Sequence, residues 1–232
     1  MRCPNLQNLE LPFGTMDIEG TGNIFRDMLS KCPDVESLDI EACRFEKAST
    51  LETMIASFPK LRHVSLSVSH WQTAVQAVID YHSRSLESVR ICPGYLVHDR
   101  GIIYNLLAVC PNLRVFSATS PITAGAFLDL KVVSTKLRTL TMGLVLEMNA
   151  LNLPNPDPMD FGMVRDRISR GQDAVFAKIL EMQELEELVF VGRHPRTSEG
   201  LIVPFSSDKA ILQLKTMKHM KRVSFYGSSQ EW

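Results

Sequence analysis

The side chains that could bind a metal or act as nucleophiles are few and scattered. The histidines are His63, His70, His82, His98, His194 and His219. None belongs to an HExxH motif, and none stands at zinc spacing from a cysteine. Cys3, Cys32 and Cys110 each precede a proline in the same local context, which favours small buried residues over ligands. No GxxxxGK[ST], GxGxxG or GxSxG lies between a strand and a helix, so neither a phosphate cradle nor a nucleophile elbow is predicted. Serines, histidines and aspartates are present, but no motif orients one as a nucleophile. The chain therefore reads as non-enzymatic, with no cofactor, no metal and no catalytic residue.

The surviving candidates form a surface, and their spacing follows from a repeat. Leu6-Gln-Asn-Leu9-Glu-Leu11 has the form L-x-x-L-x-L. The form returns with first positions at Val35, Leu61, Leu86, Leu113, Leu137, Leu185 and Met220. From positions 6, 35, 61, 86, 113, 137, 185 and 220, the intervals are 29, 26, 25, 27, 24, 48 and 35. Most fall within the 20–29 residues typical of leucine-rich repeats. The interval of 48 is either one repeat with a long insertion or two repeats, one degenerate.

A second pattern precedes each strand motif. Ten, six and three residues upstream stand Phe25, Leu29 and Cys32; Leu51, Ile55 and Phe58; and Ile103, Leu107 and Cys110. Val175, Ile179 and Met182, then Ala210, Leu214 and Met217, repeat it. That i, i+4, i+7 spacing is one face of a helix. Val75, Ile79 and His82, and Phe127, Leu130 and Val133, follow it with a slip of about one residue. His82 is thus expected near the core with its polar atoms satisfied. Pro4, Pro33, Pro59 and Pro111 stop the helices. Each unit is then a helix of about 10–14 residues, a turn and a strand. Strands re-entered from the same end are parallel. The fold class is α/β: about 8 strand units in a solenoid, with the parallel sheet on the concave face and helices on the convex face.

The pattern resembles the longer leucine-rich repeats of the ribonuclease-inhibitor-like and F-box-associated type. Val35-Glu-Ser-Leu38-Asp-Ile40-Glu-Ala-Cys43-Arg-Phe45 carries the full L-x-x-L-x-L-x-x-C-x-L form. The Cys-Pro-Asn-Leu entries at 3–6 and 110–113, and Cys-Pro-Asp-Val at 32–35, are similar to repeat entries of fungal F-box/leucine-rich-repeat proteins. The likeness covers nearly the whole chain. It departs at the ninth position, which is Cys only at Cys43 and elsewhere is Gly14, Ser69, Gly94, Pro121, Val145, Arg193 or Ser228. The resemblance implies a protein–protein interaction module, the substrate-recognition repeats of an F-box-type ubiquitin ligase adaptor. It implies a cullin-ligase adaptor as a partner through a region outside this chain, since no F-box precedes Leu6 here. The alternative is a stand-alone repeat scaffold or inhibitor with no ubiquitin role.

In strands of this kind the third and fifth motif positions point away from the core. On that concave face the expected partner-binding residues are Glu10, Asp39, Glu41, His63, Ser65, Arg90, Ser117, Thr139 and Thr141. The first units are acidic, the middle is small and polar, and Arg62, Arg90, Arg114 and Arg138 edge it. Such a face suits a protein or peptide, with charge setting orientation and on-rate. Phe13 and Tyr226 are expected rim aromatics.

Composition agrees. The 232 residues carry 25 Lys+Arg and 26 Asp+Glu, a formal net charge of −1, which does not suit a general nucleic-acid binder. No apolar run of about 18 residues occurs and the N-terminus has no apolar signal segment, so no membrane partner is expected. Five cysteines without such a segment suggest reduced thiols and a cytoplasmic or nuclear location. Residues 1–232 read as a single repeat domain, part of a longer array. Residues 147–172 form an insertion loop: Pro154, Pro156 and Pro158 bar a helix, while the polar stretch from Val164 could extend the helix that follows. Residues 193–200 read as a second, shorter surface loop.

Overall fold

The computed structural model describes residues 5–11, 14–16, 29, 31–45, 47–92, 101–145, 161–191 and 212–226. Pro4, Phe13, Phe25, Ala210, residues 147–160 and the loop 193–200 lie outside them, as do Cys3, His98 and His194.

All eight motifs form strands, and each strand starts at or near the third motif position. They are β1 (Asn8–Leu11), β3 (Ser37–Phe45), β4 (His63–Val68), β5 (Ser88–Ile91), β6 (Val115–Thr123), β7 (Thr139–Val145), β8 (Glu187–Val191) and β9 (Arg222–Tyr226). A further strand, β2 (Gly14–Met16), pairs with the end of β3 and has no counterpart in the repeat. Every pairing in this nine-stranded sheet is parallel, and spatial order follows chain order except at β2.

Between the strands run α1 (Ala48–Ala56), α2 (Trp71–His82), α3 (Gly101–Val109), α4 (Ala124–Asp129) and α5 (Phe161–Leu180), and residues 29 and 212–214 are also helical. Helix α1 packs on α2, α2 on α3, and α4 on α5. The fold is an α/β arrangement with a parallel sheet, consistent with a solenoid.

The register matches motif to motif. Fourth positions align as Leu9, Leu38, Val64, Val89, Phe116, Leu140, Leu188 and Val223. From Leu38 to Leu188 they are buried in one continuous core with the sixth positions Ile40, Leu66, Ile91, Ala118, Met142 and Phe190. The predicted helix faces enter the same core: Leu51, Ile55 and Phe58, Ile103, Leu107 and Cys110, and Val175, Ile179 and Met182 are all buried. The helices therefore cover the face that carries the even positions. Each fully buried aliphatic or aromatic side chain adds roughly 1.5–3 kcal/mol of transfer free energy.

Two backbone devices explain why the motif begins where it does. The N–H of the first motif residue donates to the carbonyl three residues earlier: Leu61 to Phe58 at 3.1 Å, Leu113 to Cys110 at 3.4 Å and Leu185 to Met182 at 3.0 Å. In the first two turns, proline is the second of four residues, where its fixed φ is pre-set. The carbonyl of the second motif residue then accepts two N–H groups from the next unit. Glu36 O takes Arg62 N at 2.8 Å and His63 N at 2.9 Å, and Arg114 O takes Arg138 N at 2.8 Å and Thr139 N at 3.0 Å. The same fork occurs at Gln7, Arg62, Glu87, Arg138 and Glu186. A carbonyl has two lone pairs, so the fork satisfies both donors before the regular ladder starts.

Two expectations need correction. Residues 147–172 are not a loop throughout: helix α5 begins at Phe161, so 161–172 extend the next helix, as the polar stretch from Val164 allowed. The sheet passes directly from β7 to β8, so the 48-residue interval is one unit with an insertion. The face Phe127, Leu130 and Val133 is not one helix either. Helix α4 ends at Asp129 and Leu130 is extended, ahead of the β-branched pair Val132 and Val133. Val133 N instead donates to Leu107 O at 3.0 Å.

Candidate functional site: the polar face of the sheet

The third and fifth motif positions lie opposite the core, and register draws the expected residues into rows. The fifth positions run Glu10, Asp39, Ser65, Arg90, Ser117, Thr141, Val189 and Ser224, each paired with the next. The third positions run Asn8, Ser37, His63, Ser88, Val115, Thr139, Glu187 and Arg222. Glu41 sits two residues beyond Asp39 on the same face and pairs with Ser67. At about 4.8 Å per strand, a row of eight spans about 34 Å, and Glu10 lies about 14 Å from Arg90.

All nine expected residues therefore share one face. Glu10 and Asp39 are immediate neighbours. His63 and Thr139 stand in the adjoining row. Glu10, Glu41, His63 and Arg90 are exposed, and Asp39, Ser65, Ser117, Thr139 and Thr141 are half-buried between strands. Val189, expected to point outward, is only 9% exposed yet does not belong to the hydrophobic core. It sits in the row between Thr141 and Ser224.

The spacing did not reveal a polar network at the β8–β9 end. Arg222 Nη1 lies 3.2 Å from Glu187 Oε1. Its Nε donates to Ser224 Oγ and its Nη2 to the Tyr226 hydroxyl, both at 3.1 Å. The signal was present, because Glu187 and Arg222 occupy the same motif position in adjacent units. Tyr226 is 55% exposed, as its expected rim position requires. Phe225, a sixth-position residue, is 45% exposed and stacks on Phe190 at 5.5 Å between centroids.

The second motif positions carry charges along the strands' entry edge. Glu87 lies 3.6 Å from both Arg62 and Arg114. Glu186 lies 3.6 Å from Arg138 and 2.7 Å from Lys221. The Lys221 hydrogen bond holds the Glu186 carboxyl below its ordinary value, helped by the charges of Lys221, Arg138 and His219. A bond to Asp34 likewise raises the Lys60 ammonium.

The titratable groups within the fold are structural. His82 is buried, and its Nε2 lies 2.9 Å from Ile55 O, so the neutral ring carries its proton there. Burial lowers its pKa, with the Ile55 bond opposing. His70 Nε2 makes a similar 2.9 Å contact with Phe45 O. Cys32 and Cys110 are buried, and burial pushes the Cys110 thiol up to about 12. Among the described residues no three His, Cys, Asp or Glu side chains converge as a metal site, and no helix is long and apolar enough to cross a membrane.

No protein-family model matches the chain, and comparison with curated proteins returns no match.

Proposed function

We propose that the chain is a leucine-rich-repeat module of the ribonuclease-inhibitor-like, F-box-associated type. In this reading it is a non-enzymatic horseshoe whose concave polar face holds a protein or peptide partner. The observation that carries the proposal is the register. Eight motifs align position for position, and their third and fifth positions form rows of mostly polar and charged side chains on the face away from the helices. Parallel sheets flanked by helices on both sides read as continuous apolar runs, whereas here alternate positions are polar. A face so built suits contact with a polar partner. Its acidic end at Glu10, Asp39 and Glu41 would orient a basic segment, with Arg90 about 14 Å away meeting an acidic one.

The repeat entries Cys-Pro-Asn-Leu and Cys-Pro-Asp-Val support a role as the substrate-recognition part of a ubiquitin ligase, with a cullin adaptor bound through a region outside this chain. Affinity capture from cells, with quantitative mass spectrometry, tests both parts. A variant carrying Glu10→Lys, Asp39→Lys and Glu41→Lys is expected to lose the specific partner at least tenfold while keeping its melting temperature. Unchanged capture would refute the role of this face. The longest transcript product is expected to recover cullin-adaptor subunits. A specific partner without those subunits would leave the repeats as a scaffold or inhibitor and remove the ubiquitin role.

A further inference from the structure

The entry-edge row follows a rule that it breaks once. From β3 to β9 the second positions are Glu36, Arg62, Glu87, Arg114, Arg138, Glu186 and Lys221. Neighbours alternate in sign at every step except Arg114 and Arg138. These two sit on adjacent strands, joined by the Arg138 N to Arg114 O bond at 2.8 Å. Their Cα atoms are therefore about one strand spacing, roughly 5 Å, apart. Like charges directly opposite across strands are destabilising.

Each guanidinium pairs outward, away from the shared seam. Arg114 Nε is 3.6 Å from Glu87 and Arg138 Nη1 is 3.6 Å from Glu186. At that length neither contact is a hydrogen bond. Both carboxylates are also shared, Glu87 with Arg62 and Glu186 with Lys221. The two arginine side chains are 52% and 56% exposed. A third cation flanks the seam: Lys136, two residues before Arg138, donates from Nζ to Asn112 Oδ1 at 2.8 Å, and Asn112 lies two residues before Arg114. In a chain with a net charge of −1, this is a local excess of positive charge whose planar donors face solvent. Guanidinium forks match carboxylates in bidentate geometry.

We infer that the Arg114–Arg138 seam is a docking site for an acidic peptide segment of a partner protein. An Asp or Glu carboxylate enters between the two guanidiniums, with Lys136 beside it. The incoming carboxylate supplies the one anion that the alternating row lacks. It takes N–H donors from both arginines and relieves their repulsion. The site lies on the entry edge of the strands, so it does not depend on what occupies the polar face of the sheet.

The test is fluorescence anisotropy with the full chain and a fluorescein-labelled Gly/Ser peptide bearing a central Glu-Glu-Asp-Glu. A second peptide replaces those four residues by Gln-Gln-Asn-Gln. At moderate salt the acidic peptide is expected to bind at least tenfold more tightly than the amide peptide. Arg114→Gln and Arg138→Gln are each expected to weaken it about tenfold. Lys60→Gln removes an equal charge from a solvent-exposed side chain on the same edge, away from the seam, and is expected to change it less than twofold. All three replaced side chains are largely exposed, and matching melting curves establish that the variants fold. Equal binding of both peptides, or retained binding in both arginine variants, would overturn the inference. So would an equal loss in Lys60→Gln, which would make the attraction a general charge effect. A short DNA duplex that displaces the peptide and depends on the same arginines would assign the seam to nucleic acid instead.

Discussion

Leu140 and Thr141 are neighbours in strand β7, and they face opposite sides of the sheet. Leu140 is fully buried in the common core, between Phe116 and Leu188 in the register, whereas Thr141 lies in the polar row between Ser117 and Val189. Leu140→Ala removes buried methyl and methylene groups and leaves a cavity that fixed neighbours cannot fill. Such changes cost about 2–5 kcal/mol. Thr141→Ala touches no core contact and is expected to stay within about 0.5 kcal/mol of the parent. For a chain of this length, 1 kcal/mol shifts the melting temperature by roughly 2–4 °C. Leu140→Ala should therefore melt about 4–20 °C lower, and Thr141→Ala no more than about 2 °C lower. Circular dichroism and tryptophan fluorescence followed in the same thermal and urea experiments would measure this. Two probes are needed because repeat arrays can unfold in parts. Equal midpoints for the two variants, or a larger loss for Thr141→Ala, would refute the assignment of the fourth and sixth positions to the core and of the third and fifth to the open face.

Gly143 pairs with Pro121 across β6 and β7, and a Cβ added there would lie 2.8 Å from Pro121 Cα, so Gly143→Ala forces backbone apart. We expect a loss of about 1–3 kcal/mol in urea unfolding, and a variant as stable as the parent would contradict the close approach. Leu113→Asp buries an unpaired charge at a fully enclosed position, while Glu187→Ala removes a half-exposed partner of Arg222. The first should cost several kcal/mol and the second about 1 kcal/mol or less, and equal melting temperatures would sink the register there. His82 has its folded pKa below its ordinary 6.5, so the unfolded chain holds more protons just under that pH. Its contribution is intact above 6.5 and is lost as pH falls toward the lower folded value. The parent should thus lose more stability between pH 7.5 and 5.5 than His82→Gln, and identical pH profiles would show that His82 does not titrate in that window.

The strands were legible because the period-2 and first-fourth-sixth patterns coincide with real burial in all central units. Phe58, Cys110 and Met182 also announced the helix ends, since each closes a turn onto the first motif residue. What escaped had no apolar signature. Strand β2 is three residues long, too short for alternation to show. Helix α4 stops early because backbone conformation at Leu130 changes while the apolar spacing runs on unbroken. The nine polar-face residues were placed by strand parity alone. The Glu187–Arg222–Tyr226 network and the alternating edge row became visible only when equivalent positions of adjacent units were aligned, because an ion pair between units lies 35 residues apart in Glu186 and Lys221 but one strand apart in space.

Three of the thiols also give the molecule an internal clock. Cys92 is exposed, while Cys32 and Cys110 are buried in different units. A thiol with a pKa of about 12 is almost never ionised at neutral pH, and alkylating reagents attack only the thiolate. Cys110 can react only when its unit opens, and Cys32 only when the first units do. Pulse labelling followed by peptide mapping would therefore time the opening of separate stretches of the array, with Cys92 marking the reagent's full speed, and would show whether the chain breathes from one end or parts in the middle.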